Sequence, residues 1–318
     1  MDLGAVGLGG APLGNLGRVV PEEDALGAIT AAWDVGVRFF DTAPHYGLGL
    51  SERRFGVGLA GRPRDEFVIS TKVGRLLVPN GDVARMDDEG FVVPACTRRV
   101  RDYSRDGVLR SLESSLQRLQ LDRVDILLVH DPDDYYREAL NGAFPALHDL
   151  RAQGVIRAFG AGMNQSKMLA DFVRNTDLDV VLLAGRYTLY EQGALDDLLP
   201  LCVARGVSVV AGGVFNSGLL ATDRPGQSAT YNYAPPPAEV IDRVSRIAAV
   251  CERHGVSLPA AAVQFALAHP AVTTACLGAR SAAEVRRNAS LYSVDIPTAL
   301  WNDLKDEGLL RRDAPVGL

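Results

Sequence analysis

A (β/α)8 TIM barrel is the fold this sequence predicts, and three observations carry it. Short β-branched runs alternate with longer segments of helical period, as expected when crossover helices join parallel strands. The strand candidates number eight, at residues 4–8, 37–41, 67–71, 125–130, 155–160, 180–184, 207–211 and 273–277. Three apolar runs stop on a polar group: Phe39-Phe40 on Asp41, with Tyr46 five residues on, Val68-Ile69-Ser70-Thr71 on Lys72, and Leu127-Leu128-Val129 on His130. The C-terminal ends of strands are where such barrels keep their chemistry.

Helix punctuation follows the same plan. Pro21-Glu22-Glu23-Asp24 puts a proline and acids in a first turn before Ala25–Trp33, and Gly36 stops that helix. In Arg105–Leu119, Val108, Leu109, Leu112, Leu116 and Leu119 recur at three- and four-residue steps and form one apolar stripe to cover the barrel. Gly154 and Gly206 end two further helices just ahead of strands. Two connections are long, 73–104 after the third strand and 212–237 after the seventh, so both lie on the catalytic face. The first carries Arg75, Asn80, Asp87, Phe91 and Tyr103, the second Phe215, Asn216, Tyr231, Asn232 and Tyr233. Their aromatic residues favour lids that wall a pocket over plain surface loops.

Residues 1–318, 47% hydrophobic and 23% charged with both signs mixed, have the composition of a globular chain with a substantial core. Length alone would allow two domains, yet no Pro/Ser-rich linker or charge block divides the chain, so one barrel domain is expected. A net charge of -6 argues against a nucleic-acid footprint. Cys96, Cys202, Cys251 and Cys276 show no C-x-x-C spacing and read as free thiols in a reducing compartment. The start Met1-Asp2-Leu3-Gly4 lacks a basic segment with an apolar run behind it, and no apolar stretch spans a bilayer. A cytoplasmic location is therefore expected. Oligomeric state leaves no mark in the sequence.

Taken singly, a strand-end Asp is usually a turn residue, a Tyr usually packs, a Lys usually snorkels and a His behind Leu-Leu-Val is usually a core histidine. Together on one rim they suit proton transfer coupled to hydride transfer at a carbonyl or carbinol carbon. A free phenol with a pKa of about 10 is a poor base at neutral pH. A neighbouring ammonium is expected to favour phenolate, and a carboxylate keeps that ammonium charged and aimed. Tyr46, Lys72 and Asp41 fit those roles, and a neutral His130 hydrogen-bonds the substrate oxygen. His45, beside Tyr46, reads either as a pocket residue or as loop packing; Arg75 and Tyr231 are further pocket candidates.

At these residues the chain resembles the aldo-keto reductase superfamily, which carries an Asp-Tyr-Lys-His tetrad on a (β/α)8 barrel and binds NAD(P)H without a Rossmann fold. The resemblance rests on Asp41-Thr42-Ala43-Pro44-His45-Tyr46-Gly47, Ser70-Thr71-Lys72-Val73 and the strand ending in His130, and it covers nearly the whole chain. Gly47–Arg54, His130-Asp131-Pro132-Asp133-Asp134, Ala184–Leu189 and Gly213–Gly218 are similar to the bacterial branch of aldose 1-dehydrogenases and pyridoxal 4-dehydrogenases. The resemblance implies oxidation of a cyclic sugar hemiacetal of the L-fucose, D-arabinose or L-galactose type at C1 to a lactone, with Tyr46 as proton carrier. Oxidation of pyridoxal and reduction of small aldehydes or ketones are the alternatives.

Cofactor contacts are implied in the same way. Gly10, Ala11 and Asp41 are cofactor contacts, Asn164 holds the nicotinamide carboxamide, and Tyr187 lies near the ring. Ala184 stands where many members carry a Gln that also holds the carboxamide. Val214, Phe215, Asn216, Gly218 and Leu219 line the pyrophosphate, where glycines permit close backbone approach. Gly278, Arg280, Glu284 and Asn288 hold the adenosine at a helix start. Members preferring NADP often carry Lys-Ser and an Arg at positions aligned here with Gly278, Ala279 and Glu284. The carboxylate of Glu284 favours NAD, with Arg280 as a means of accepting NADP. Many relatives also begin with a hairpin that plugs the barrel floor, whereas this chain reaches its first strand almost at once.

Other classes fit less of the sequence. A Schiff-base aldolase with Lys72 as nucleophile needs a lowered amine pKa, which Asp41 opposes. A cofactor-binding regulatory subunit leaves an intact tetrad without a purpose. His45, His130, His148, His254 and His269 show no H-E-x-x-H spacing, so no metal is expected.

Overall fold

The structure is a computed structural model that describes residues 1–318 except 81–84, 227–229, 233 and 318. Its strands are β1 (Val6–Gly9), β2 (Phe39–Asp41), β3 (Val68–Val73), β4 (Arg75–Pro79), β5 (Thr97–Arg101), β6 (Ile126–His130), β7 (Ala158–Met163), β8 (Val180–Ala184), β9 (Ser208–Gly212) and β10 (Val272–Gly278). All except β4 and β5 pair in parallel and close into a barrel of order β1-β10-β9-β8-β7-β6-β3-β2. The eight predicted strands are these eight. Their bounds agree to within three residues: β8 coincides, and the largest shift is at β7, where Gly160 and Gly162 dilute the strand signal and Val155-Ile156 pulls the expected start forward.

The helices are α1 (Glu22–Asp34), α2 (Leu50–Leu59), α3 (Arg105–Leu119), α4 (Tyr136–Glu138), α5 (Phe144–Ala152), α6 (Ser166–Asn175), α7 (Leu198–Arg205), α8 (Ala238–Arg253), α9 (Leu258–Leu267), α10 (Ala282–Ser290) and α11 (Thr298–Asp306). Pro21 caps α1, whose buried Ala25, Ala28, Ile29 and Ala32 face the barrel. Ser104 caps α3 by accepting the Gly107 N–H. The α3 stripe omits Leu109, which is 40% exposed. Being one residue past the buried Val108, it is turned about 100° away from that face.

The 73–104 connection contains what periodicity did not predict, an antiparallel hairpin in which Arg75 pairs with Arg101 and Pro79 with Thr97. Beyond it, Leu48, Phe91, Val93 and Ala95 form a small apolar cluster against Tyr46 and Leu77. The loop is thereby fastened over the barrel mouth. Tyr233, expected to line the other long connection, lies outside the described residues.

Side-chain alternation organises the barrel interior. The lowest inward positions are Phe39, Val68, Ile126, Ala158 and Val180, and Leu128, Leu182, Val210 and Cys276 stand above them in the same apolar cluster. Leu3 joins that cluster from the chain entering β1, and Phe39 occupies the space that Gly7 leaves: a Cβ there would lie 2.4 Å from its ring. These two side chains fill the floor.

Candidate active site

Two residues further along each inward series is the rim. The inward positions there are Asp41 on β2, Lys72 on β3 and His130 on β6, followed by Gly162 on β7, Ala184 on β8, Gly212 on β9, Gly278 on β10 and Gly9 on β1. All eight line one cleft of about 870 Å³. Three of the eight positions thus bear polar chemistry, and the other five leave a hollow because their side chains are a hydrogen or a methyl group.

On the polar side, Lys72 Nζ donates to Asp41 Oδ2 at 2.8 Å, to the Thr42 carbonyl at 2.9 Å and to the Tyr46 hydroxyl at 3.0 Å. Lys72 and Asp41 are 1% and 3% exposed, so this ion pair is almost wholly desolvated. The Tyr46 ring stands perpendicular to that of His130, with centroids 5.7 Å apart. His130 Nδ1 is buried without a hydrogen-bond partner. The structure brings together the four residues that the sequence places at three strand ends.

Burial governs their protonation. It pushes the Tyr46 phenol well above its ordinary range, and the opposing pull of Lys72 does not overcome it. Lys72 thus favours phenolate as expected, but burial outweighs it and the net shift is toward the protonated phenol. For Lys72, burial acts against the ammonium, but Asp41 and Tyr46 outweigh it and the pKa rises. Burial, aided by Arg75 and Lys72, drops the His130 pKa far below the usual imidazole range, so the ring is neutral. His45 is pushed down to about 2 by burial and then by Arg75 and Arg99.

Of the other predicted residues, Gly10, Ala11, His45, Asn164, Val214, Phe215, Asn216, Gly218, Gly278, Arg280, Glu284 and Asn288 line the cleft. Asn216 has a left-handed φ of 45°, and its side chain is committed to Gly185 O and Thr188 Oγ1. Its side chain therefore shapes the loop while its backbone borders the cleft. Ser281 caps α10 by accepting the Glu284 N–H, and Glu284 Oε2 accepts the Arg280 N–H at 2.7 Å. Arg280 Nε and Asn288 Oδ1 are buried and unpartnered there. Those orphaned groups, together with the glycine-lined hollow, fit an extended polar ligand such as a dinucleotide.

Four predicted contacts lie elsewhere. Tyr187 is 1% exposed and packs on Phe265 and His269, with ring centroids at 5.0 and 5.6 Å; its ring goes to the helix layer and Arg186 reaches the cleft instead. Leu219 is fully buried in the apolar layer between strands and helices. Arg75 stands behind the cleft wall, 2.5 Å from Asp131 Oδ2. Tyr231 turns outward to hydrogen-bond Glu191 and stack edge-on against Tyr190, leaving Thr230 and Asn232 to line the cleft.

Sequence reasoning missed Glu89, Asp131, Arg186 and Arg287 as lining residues. Arg287 was accessible through helical spacing, three residues after Glu284 on one face of α10. Glu89 carries no such signal, because its place depends on the hairpin.

A barrel with this buried Asp-Lys-Tyr relay, a neutral His and a glycine-lined cleft of about 870 Å³ defines an NAD(P)-dependent oxidoreductase. The aldo/keto reductase family model matches residues 5–306, and the chain belongs to that family. It is 46% identical over 310 residues to D-threo-aldose 1-dehydrogenase of a Pseudomonas species, covering 96% of this chain and 94% of that one. It is 41% identical to pyridoxal 4-dehydrogenase of Microbacterium luteolum, with the same coverage of 96% and 94%. Among solved structures it is similar to a glycerol dehydrogenase from Gluconobacter oxydans, with a TM-score of 0.77 and 25% identity over 98% of this chain and 93% of that one. Among the described residues no helix is long and apolar enough to cross a membrane.

Proposed function

We propose that the protein oxidises an aldose at C1 to the corresponding lactone, with NAD as the preferred cofactor. The observation that carries this reading is Lys72 Nζ bonded at once to Asp41 and Tyr46 beneath a glycine-lined cleft of about 870 Å³. The 46% identity to an aldose 1-dehydrogenase supports the sugar class. Bound nicotinamide supplies the hydride acceptor.

Tyr46 takes the proton of the C1 hydroxyl as the C1–H bond gives up its hydride, so a hydride and a proton, two electrons and two protons in all, leave the hemiacetal. Lys72 stabilises the phenolate form of Tyr46 that must be present to take that proton, and Asp41 holds Lys72 charged and aimed. Neutral His130 donates a hydrogen bond to the C1 oxygen and orients it. Gly10, Ala11 and Asn164 border the nicotinamide, residues 214–218 the pyrophosphate, and Gly278, Arg280, Glu284 and Asn288 the adenosine. The Glu284 carboxylate at the adenosine end disfavours a 2′-phosphate and supports NAD.

The test is NADH and NADPH formation with L-fucose, D-arabinose, L-galactose, pyridoxal and simple alcohols, with Tyr46→Phe as control. Sugar turnover with NAD that disappears in the variant supports the proposal. Pyridoxal turnover without sugar turnover selects a second reading, which the 41% identity to pyridoxal 4-dehydrogenase favours.

A further inference from the structure

The cleft has a second polar wall, beside His130 and His45, that the proton chemistry does not use. It is formed by Glu89 from the loop inside the 73–104 connection and Asp131 immediately after β6. Two arginines of the hairpin hold it. Arg75 Nη2 lies 2.5 Å from Asp131 Oδ2, and Arg75 Nη1 lies 3.7 Å from Glu89 Oε2. Arg99 Nη1 lies 3.5 Å from Glu89 Oε1 while forming a buried pair with Asp87 at 2.5 Å, and Arg99 Nη2 donates to the His45 carbonyl at 2.9 Å.

These contacts leave acceptor capacity facing the cleft. Glu89 lies 3.5 and 3.7 Å from the Arg99 and Arg75 guanidiniums and 3.8 Å from the neutral His45 ring, and accepts no hydrogen bond among the described residues. Its side chain is 43% exposed. Asp131 commits Oδ2 to Arg75, and that oxygen stands 3.5 Å from His130 Nε2. Asp131 also holds a left-handed φ of 39°, fixed by its N–H bond to Gly162 O at 3.1 Å. Such backbone strain in a non-glycine residue persists where the surroundings enforce it. Beside this wall, His130 is 5% exposed with an unpartnered Nδ1.

We propose that Glu89 and Asp131 determine specificity by accepting hydrogen bonds from secondary hydroxyls of a sugar ring whose C1 lies at Tyr46. The inference rests on the aldose reading and deepens it. Carboxylates neutralised by arginines behind them accept from neutral hydroxyl donors without drawing in a cation. A ligand lacking hydroxyls there strips water from both carboxylates and returns nothing, so the wall rejects it.

The experiment compares wild type, Glu89→Ala, Glu89→Gln and Asp131→Asn on an accepted aldose and on its monodeoxy analogues, with saturating NAD. Asn tolerates the left-handed backbone at 131, so that variant retains the local fold. The expected result is a KM for the parent aldose raised by about 10- to 100-fold in Glu89→Ala with kcat changed by less than about threefold. Wild type discriminates against one deoxy analogue, and Glu89→Ala loses that discrimination because either deletion removes the same bond. Asp131→Asn loses it toward a different analogue, and Glu89→Gln falls between wild type and Glu89→Ala. Discrimination that survives in Glu89→Ala and Asp131→Asn overturns the inference and leaves the aldose reading standing. Absence of any aldose turnover by wild type overturns both.

Discussion

Ser70 Oγ donates to Asp41 Oδ1 at 2.7 Å, which leaves Oδ2 as the oxygen that meets Lys72 at 2.8 Å. The two strands that carry them are paired so that Asp41 faces Ser70 in register. A fully buried hydroxyl therefore fixes the carboxylate rotamer on which the lysine depends. Ser70→Ala should lose about 1.5–3 kcal/mol of stability, as for a buried hydrogen bond to a charged group. With the carboxylate free to turn, kcat should also fall by roughly ten- to a hundredfold. Urea unfolding and steady-state kinetics on the same preparation check both, and an unchanged kcat would show that Lys72 alone fixes Asp41.

The pH profile should be lopsided. Tyr46 is raised by burial against the pull of Lys72, Lys72 is raised on balance, and His130 is lowered, so none of these changes charge near neutrality. In the reducing direction the protonated phenol is the acid needed, and kcat/KM should stay level from about pH 6 to 9. In the oxidising direction a proton must leave the phenol, and kcat/KM should climb with a slope near one log unit per pH unit. A plateau in oxidation between pH 6 and 8 would contradict the buried-phenol assignment.

What was legible in the sequence divides at the barrel rim. The eight strands announce themselves because each is a local apolar run between turn residues, and Asp41, Lys72 and His130 are legible because each ends such a run. Their convergence needs only the closed barrel. Tyr187 was misplaced because an aromatic beyond a strand end reads equally well as a ring contact or as packing; only the tertiary neighbours Phe265 and His269 decide it. The hairpin was missed because Arg75-Leu76-Leu77-Val78-Pro79 and Thr97-Arg98-Arg99-Val100-Arg101 have weak strand character alone and are stabilised by pairing across a long gap. With the hairpin went Glu89, whose position follows from Arg75 and Arg99.

His45 predicts a specific acid sensitivity. Its folded pKa of about 2 lies below the ordinary imidazole value, so the unfolded chain binds the proton more readily. The associated stability is present above about pH 6.5 and is lost as pH falls below it, by up to about 1.4 kcal/mol per pH unit. Arg75 and Arg99, which face the ring along with Glu89, are already charged throughout that range. His45→Asn should therefore lose about 2 kcal/mol less than wild type between pH 7 and pH 5 in urea unfolding. Parallel curves for the two proteins would place the acid-sensitive site elsewhere.

Cofactor preference is expected to turn on Glu284, which does two things at once. Its carboxylate faces the cleft, and its Oε2 accepts the Arg280 N–H at the start of α10. Glu284→Gln removes the charge while keeping an acceptor, and it should move the NADP/NAD ratio of kcat/KM upward by several-fold. Glu284→Arg should move it by about tenfold or more through a charge-assisted contact to the 2′-phosphate, at a cost of about 1 kcal/mol in capping. If neither variant changes the ratio, the adenosine end does not lie at α10.

Gly162 supplies the narrowest test of the rim. A Cβ at this position would lie 3.3 Å from Lys72 Cε, 3.5 Å from Leu128 Cδ1 and 3.6 Å from Leu182 Cβ. The lysine has little freedom to retreat, because its Nζ is tied to Asp41, Thr42 O and Tyr46. A shift of a few tenths of an ångström must lengthen one of those bonds. Gly162→Ala should fold with stability within about 1 kcal/mol of wild type, since alanine also reduces the freedom of the unfolded strand. Its kcat should fall by about tenfold, in proportion to the misplaced relay. Gly160→Ala is the contrasting control: a Cβ there would lie 1.6 Å from the Val180 carbonyl, so the β7–β8 ladder should open and the protein should fail to fold. Wild-type kcat in Gly162→Ala would mean that the lysine tolerates displacement, and that the distance from Lys72 to Tyr46 does not limit turnover.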